Sequence, residues 1–163
     1  MRRVAAQEDP HAWLVDQVRV LHSREEGSLD WDKLAEELEA MARNDRTEVV
    51  SHLRNILANF LKLAYSSIRR SERSWKGTIL RARLDLSLKV DDSKSLRNDL
   101  AEFLIIAFKQ ARALAADEMQ LEKYQAQQLF PAQCPWTVDQ LRDEDFFPNV
   151  ASTANGRTRA KLK

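Results

Sequence analysis

From Leu29 to Met41 the chain reads Leu-Asp-Trp-Asp-Lys-Leu-Ala-Glu-Glu-Leu-Glu-Ala-Met, which sets Asp30, Asp32, Glu36, Glu37 and Glu39 within ten positions. Crowded carboxylates are raw material for a metal centre. On a helix Asp32 and Glu36 are four apart and Glu36 and Glu39 three apart, so these three share a face while Glu37 turns toward a neighbouring one. Carboxylate-bridged sites in helical bundles add Glu-x-x-His pairs and inward-facing Glu from other helices. Within the predicted helices no Glu-x-x-His occurs, and the nearest substitute is Glu48 with His52 one turn on. Glu36, Glu39, Glu48 and His52 are therefore the metal candidates, set against the simpler reading that acids on an amphipathic helix form its solvated side.

Other chemistry finds less support. The single cysteine, Cys134, stands between Gln133 and Pro135, far in sequence from His11, His22 and His52, so neither a zinc motif nor a Cys-His nucleophile is spelled out. Packing of Cys134, Trp136, Phe146 and Phe147 over the helices is the expectation instead. There is no Gly-rich phosphate loop or dinucleotide fingerprint, and no cofactor or small-molecule substrate is indicated.

Charge is segregated along the chain. Between Asp30 and Glu48 seven acids face three bases, a net −4, whereas between Arg69 and Lys89 seven bases face two acids, a net +5. The two segments can complement each other within one molecule or across a two-fold dimer. Asp32, Glu36, Glu37 and Glu39 on one side, and Arg69, Arg70, Arg73, Trp75, Lys76, Arg81 and Arg83 on the other, are the candidate interaction residues. Basic side chains beside Trp75 also suit phosphate contact with base stacking, if that ring is exposed rather than a core anchor.

The elements that position these residues follow from periodicity. Length (163 residues), 44% hydrophobic content, 3 Gly and 4 Pro describe one helical domain able to bury a core without staples. Leu14, Val18 and Leu21 mark a first helix from Pro10 behind an Asp9 cap; Leu34, Leu38 and Met41 mark a second after Asp30. Asn44-Asp45-Arg46-Thr47 reads as a break with Thr47 as the next cap, and the helix from Thr47 to Ser66, with its apolar period Val49 to Ala64, is expected to form the centre together with the fifth. A fourth follows from Trp75, although Leu84, Leu86, Leu88 and Val90 also alternate like a strand. Ser95 can cap a long fifth helix to about Leu121, and Thr137 with Gln140 forms a capping box for a short sixth. The expectation is an all-α, single-domain bundle of five main helices plus a short C-terminal one over residues 9–148, with an N-terminal extension (1–8) and a basic, disordered tail (149–163).

Taken in order, Leu29-Asp30 through Glu36-Glu37-Leu38-Glu39-Ala40-Met41, Ser74-Trp75-Lys76-Gly77-Thr78-Ile79, and Cys134-Pro135-Trp136-Thr137 with Gln140-Leu141 and Phe147-Pro148 resemble a bacterial family, the domain of unknown function family 29. The resemblance covers roughly residues 9–148 and implies a small all-α protein with no established activity. Two positions depart from it. Asn59-Phe60-Leu61-Lys62-Leu63 stands where the family tends to read His-Leu-Leu-Lys-Trp, and Ala42 stands where a glycine often follows Met41. Chemistry resting on that histidine has no counterpart in this chain.

No signal peptide is expected, because Gln7, Glu8 and Asp9 directly follow the N-terminal residues, and no apolar run reaches the ~20 residues that span a bilayer. With one cysteine, a cytoplasmic location is the expectation. Three functions remain in order: a noncatalytic protein-interaction module that self-associates or binds a protein partner, a nucleic-acid-associated protein using residues 69–89, and a metal-dependent enzyme with an acidic helix.

Overall fold

Helix α1, Pro10–Ser23, starts where the sequence predicts. The Asp9 carboxylate accepts the Ala12 N–H at 3.0 Å, and Pro10 occupies a first-turn position at which no N–H is needed. It ends at Arg24, whose φ of 58° is left-handed and whose N–H bonds the Leu21 carbonyl at 3.2 Å. The structure is a computed structural model and describes residues 8–149. The expected N-terminal extension, apart from Glu8, and the expected basic tail, apart from Asn149, lie outside the described residues.

A 3-10 turn, Glu26–Ser28, leads to α2, Trp31–Tyr65. Asp30 caps α2 by accepting the Lys33 N–H at 3.2 Å, and Gln17 of α1 steadies that turn by accepting the Asp30 N–H at 2.9 Å. The break expected at residues 44–47 is absent, because α2 runs unbroken for 35 residues. Asn, Asp and Thr each cost only about 0.7 kcal/mol or less relative to alanine inside a helix, and neither Gly nor Pro interrupts the hydrogen-bond ladder.

The remaining helices are α3 (Glu72–Val90), α4 (Lys94–Asn98), α5 (Leu100–Glu118), α6 (Lys123–Leu129) and α7 (Val138–Arg142). No strand occurs among the described residues, so the all-α class stands and the Leu84–Val90 alternation belongs to a helix. The expected long fifth helix is divided at Asp99 and capped two residues earlier than predicted: Ser93, in extended backbone, accepts the Leu96 N–H at 3.4 Å. Arg97 then donates to the Val90 carbonyl at 3.2 and 3.3 Å and to that of Asp91, tying α4 to the end of α3. Helix α6 was not foreseen, since Tyr124 to Gln128 has no apolar period; it starts with the Glu122 N–H donating to the Gln125 side chain at 2.9 Å. Helix α7 has the predicted reciprocal cap, with Thr137 and Gln140 exchanging bonds at 3.0 and 3.2 Å.

The chain divides into two compact units, Met1–Asp45 and Arg46–Lys163. In the first, Trp13, Gln17 and Val20 are the buried residues of α1, while Leu14, Val18 and Leu21, the stripe expected inside, are exposed. The buried stripe is rotated by one residue, about 100°, toward the largest apolar side chain on the helix. Leu38 and Met41 of α2 are likewise exposed, in contrast to the inward face their spacing suggested. In the second unit the central helices are the expected ones. Val49, Leu53, Ile56, Leu57, Phe60 and Leu61 of α2 share a core with Phe103, Ala107, Ala111 and Ala115 of α5 and with Ile79, Leu86 and Val90 of α3. Alanine at every fourth position of α5 presents a small-residue stripe to that core. The segment after α6 folds back over it, as expected for its aromatic residues, with Phe60 5.2 Å from Trp136 and 5.7 Å from Phe146 between ring centroids.

Candidate functional site

The acidic face of α2 is engaged by cations one turn away. Lys33 lies 3.0 Å from Glu36 and 3.3 Å from Glu37, and Arg43 lies 3.4 Å from Glu39, while Asp32 is exposed. Each is a near-neighbour helical pair in solvent, of the kind that salt screens and that contributes little to stability. Glu36 and Glu39 belong to the first unit, Glu48 and His52 to the second. The chain's Glu-x-x-His spacing, Glu8 to His11, straddles the start of α1, with both residues exposed. Among the described residues no group of three or more His, Cys, Asp or Glu is arranged to hold a metal ion.

Glu48 has two neighbours, Lys89 Nζ at 2.6 Å and His52 Nε2 at 3.8 Å. One end of the acidic segment is therefore paired with one end of the basic segment inside the second unit. The Lys89 hydrogen bond holds the Glu48 carboxyl below its ordinary value of 4.5, with burial opposing and the Lys89 and His52 charges assisting. A lowered carboxyl pKa stabilises the fold above its unfolded value, and that contribution disappears as the pH falls through the folded one. Glu48→Gln is expected to flatten the acid limb of stability below the ordinary carboxylate value while leaving the shape at neutral pH unchanged. Urea unfolding over a pH series measures this; a variant whose acid limb tracks the parent's denies Glu48 the role.

The basic segment separates into two kinds of side chain. Arg70, Arg73 and Arg81 are exposed on or just before α3, Arg69 donates to the Leu63 carbonyl at 3.2 Å, and Lys76 pairs with Glu72 at 2.7 Å. Arg83 is different. Only 3% exposed, it donates through Nε to the Leu141 carbonyl at 2.7 Å, through Nη2 to Gln140 at 3.1 Å and Phe146 at 2.7 Å, and through Nη1 to Glu144 at 3.2 Å. Its guanidinium also lies 5.4 Å from the Phe60 ring centroid and 5.2 Å from that of Phe147. Burial pushes its pKa down, partly offset by Asp143 and Glu144. Its charge is directed inward to the C-terminal segment, which removes Arg83 from the interaction surface the sequence suggested. Trp75 is half-buried against the core, with the Lys62 ammonium 5.5 Å from its ring centroid. Lys62 is itself buried and bonded to the Glu118 carboxylate, a pairing of residues 56 positions apart that no local spacing announces.

Cys134 is half-buried and donates to the Trp136 carbonyl at 3.4 Å; burial pushes its thiol above the ordinary value, away from the thiolate a nucleophile needs. The feature missed in the sequence is on the outer side of α3. Leu80, Leu84 and Leu88 are 46, 62 and 70% exposed, roughly opposite the buried Ile79, Ala82, Leu86 and Val90. The i, i+4, i+8 leucine spacing was available as a signal, since a helix apolar on two faces can bury only one against a single core.

These features define an all-α protein with a closed aromatic core in its second unit, self-paired acidic residues and an open leucine face on α3. The chain belongs to the family described as Domain of unknown function DUF29, whose model matches residues 7–147. Neither the comparison with curated proteins nor that with solved structures finds a significant match. No described helix is long and apolar enough to cross a membrane.

Proposed function

We propose that this protein is a noncatalytic interaction module that self-associates through the outer face of α3. The observation that carries the reading is the exposed Leu80-Leu84-Leu88 stripe flanked on one side by exposed Arg81 and Asp85. Contiguous apolar surface of this kind marks contact sites. A second copy of the same face suits it chemically. Two α3 helices crossed antiparallel about a two-fold axis at Leu84 set Leu80 of one copy opposite Leu88 of the other, and Arg81 beside Asp85 of the second copy, twice over.

Sedimentation equilibrium over a concentration series is expected to show a dimer. Leu84→Glu is expected to raise its Kd at least tenfold, because it sets like charges together at the axis. Arg81→Asp should weaken the dimer, and adding Asp85→Arg should restore it. A parent protein that stays monomeric throughout removes the proposal.

A second reading is association with nucleic acid through Arg69, Arg70, Arg73, Lys76 and Arg81. It is favoured by exposed Arg70 and Arg73, which have no ion-pair partner among the described residues. Binding that falls steeply with salt and weakens in an Arg70→Ala, Arg73→Ala variant supports this reading; salt-independent binding opposes it.

A further inference from the structure

A cleft of about 360 Å³ opens between α2 and α5 within the second unit, away from the leucine face of α3. Arg46, Val50 and Arg54, at i, i+4 and i+8, line it from α2 together with Ser51, and Phe103 and Ile106 line it from α5. Two guanidinium groups thus border an apolar floor.

Neither guanidinium is firmly committed to the protein. Arg46 lies over the Phe103 ring at 5.3 Å, and its carboxylate partner Glu102 is 3.5 Å away, an exposed pair at long range that solvent and salt weaken. Arg54 donates to Ser51 Oγ at 2.7 Å but has no carboxylate in ion-pair range among the described residues. Its Nε is buried without a hydrogen-bond partner. With Nε enclosed, the outer nitrogens of the fork are the ones open to a ligand, and they match a planar or tetrahedral oxyanion through two parallel bonds.

We infer that this cleft binds a small amphiphilic anion, with a carboxylate or phosphate head on Arg54, assisted by Arg46, and a short alkyl or aryl body against Val50 and Ile106. The volume is at the small end of ligand sites and holds about a dozen non-hydrogen atoms at roughly 30 Å³ each. Head and body are both required, because the charge fixes orientation while the apolar floor supplies area. The site is independent of the self-association reading and does not rest on it.

Calorimetric titration of the full chain with octanoate, octyl phosphate, octanol and inorganic phosphate tests the inference. At least one of the two amphiphilic anions is expected to bind, with Kd on the order of 100 µM, and octanol and inorganic phosphate at least tenfold more weakly. Which anion binds identifies the head group. Arg54→Met is expected to cost at least tenfold and Arg54→Lys less. Ile106→Trp, a change at an exposed position that leaves the core intact, should fill the cleft and abolish binding, whereas Leu84→Glu should leave binding unchanged. Far-ultraviolet circular dichroism establishes that each variant is folded. Octanol binding as tightly as the anions, neither anion binding, or Ile106→Trp binding like the parent each overturns the inference.

Discussion

Replacing Arg83 by methionine is expected to lower the unfolding free energy by about 3–5 kcal/mol, equivalent to a fall in Tm of roughly 10 °C for a chain of this size. Methionine keeps most of the apolar volume but none of the donors. It leaves the carbonyls of Gln140, Leu141, Glu144 and Phe146 without the charged partner that now satisfies all four. Charge-assisted hydrogen bonds are worth about 1.5–3 kcal/mol each, and simultaneous loss is less than their sum because the segment can turn some carbonyls to water. Arg83→Lys is the informative companion. It preserves the charge yet cannot address four acceptors in a plane, so it should recover only a minor part of the loss. Guanidinium chloride unfolding measures both variants; a cost below about 1 kcal/mol for Arg83→Met contradicts the clamp. The same substitution should expose the segment from residue 140 to 147 to proteolysis before the rest of the second unit unfolds.

Phe60→Ala is expected to cost a similar amount, about 3–5 kcal/mol, for a different reason. Phe60 is fully buried at the junction of α2 with the returning segment, against Trp136, Phe146 and the Arg83 guanidinium. Truncation removes apolar burial, leaves a cavity and ends the edge-on contact with Trp136, itself worth about 0.5–1.5 kcal/mol. Because Phe60 and Arg83 hold the same segment and touch each other, their losses should not add. The double variant is expected to fall short of the sum of the singles by at least about 0.5 kcal/mol. Strict additivity in a double-mutant cycle would mean that the ring and the guanidinium act on separate parts of the molecule.

The helices were legible because their cause is local. Asp9 with Pro10, Asp30, and Thr137 with Gln140 act on N–H groups within one turn, and each cap forms as its spacing predicts. The apolar period from Val49 to Ala64 likewise marked the central helix. The polar run at Asn44 to Thr47 misled, because weak helix formers lower helical stability without removing a backbone bond, and the ladder simply continues. The charged residues were harder to place. Arg83 looks like its neighbours Arg73 and Arg81, and its inward role depends on carbonyls 57 to 63 positions away. Nothing in a linear charge count separates an arginine that meets a buried chain reversal from one that meets water.

By itself, then, the amino-acid order determined the all-α class, the starts of α1, α2 and α7, the central pair of helices and the family to which the chain belongs, since each depends on patterns within a few turns or on ordered motifs. Only the tertiary structure decided which apolar stripes are covered and which side chains face inward. Leu38 and Leu84 lie on helices that also supply the core, and Leu14 on one as regular, yet all three remain exposed. Burial is a property of what packs opposite a residue, and that neighbour arrives from distant sequence.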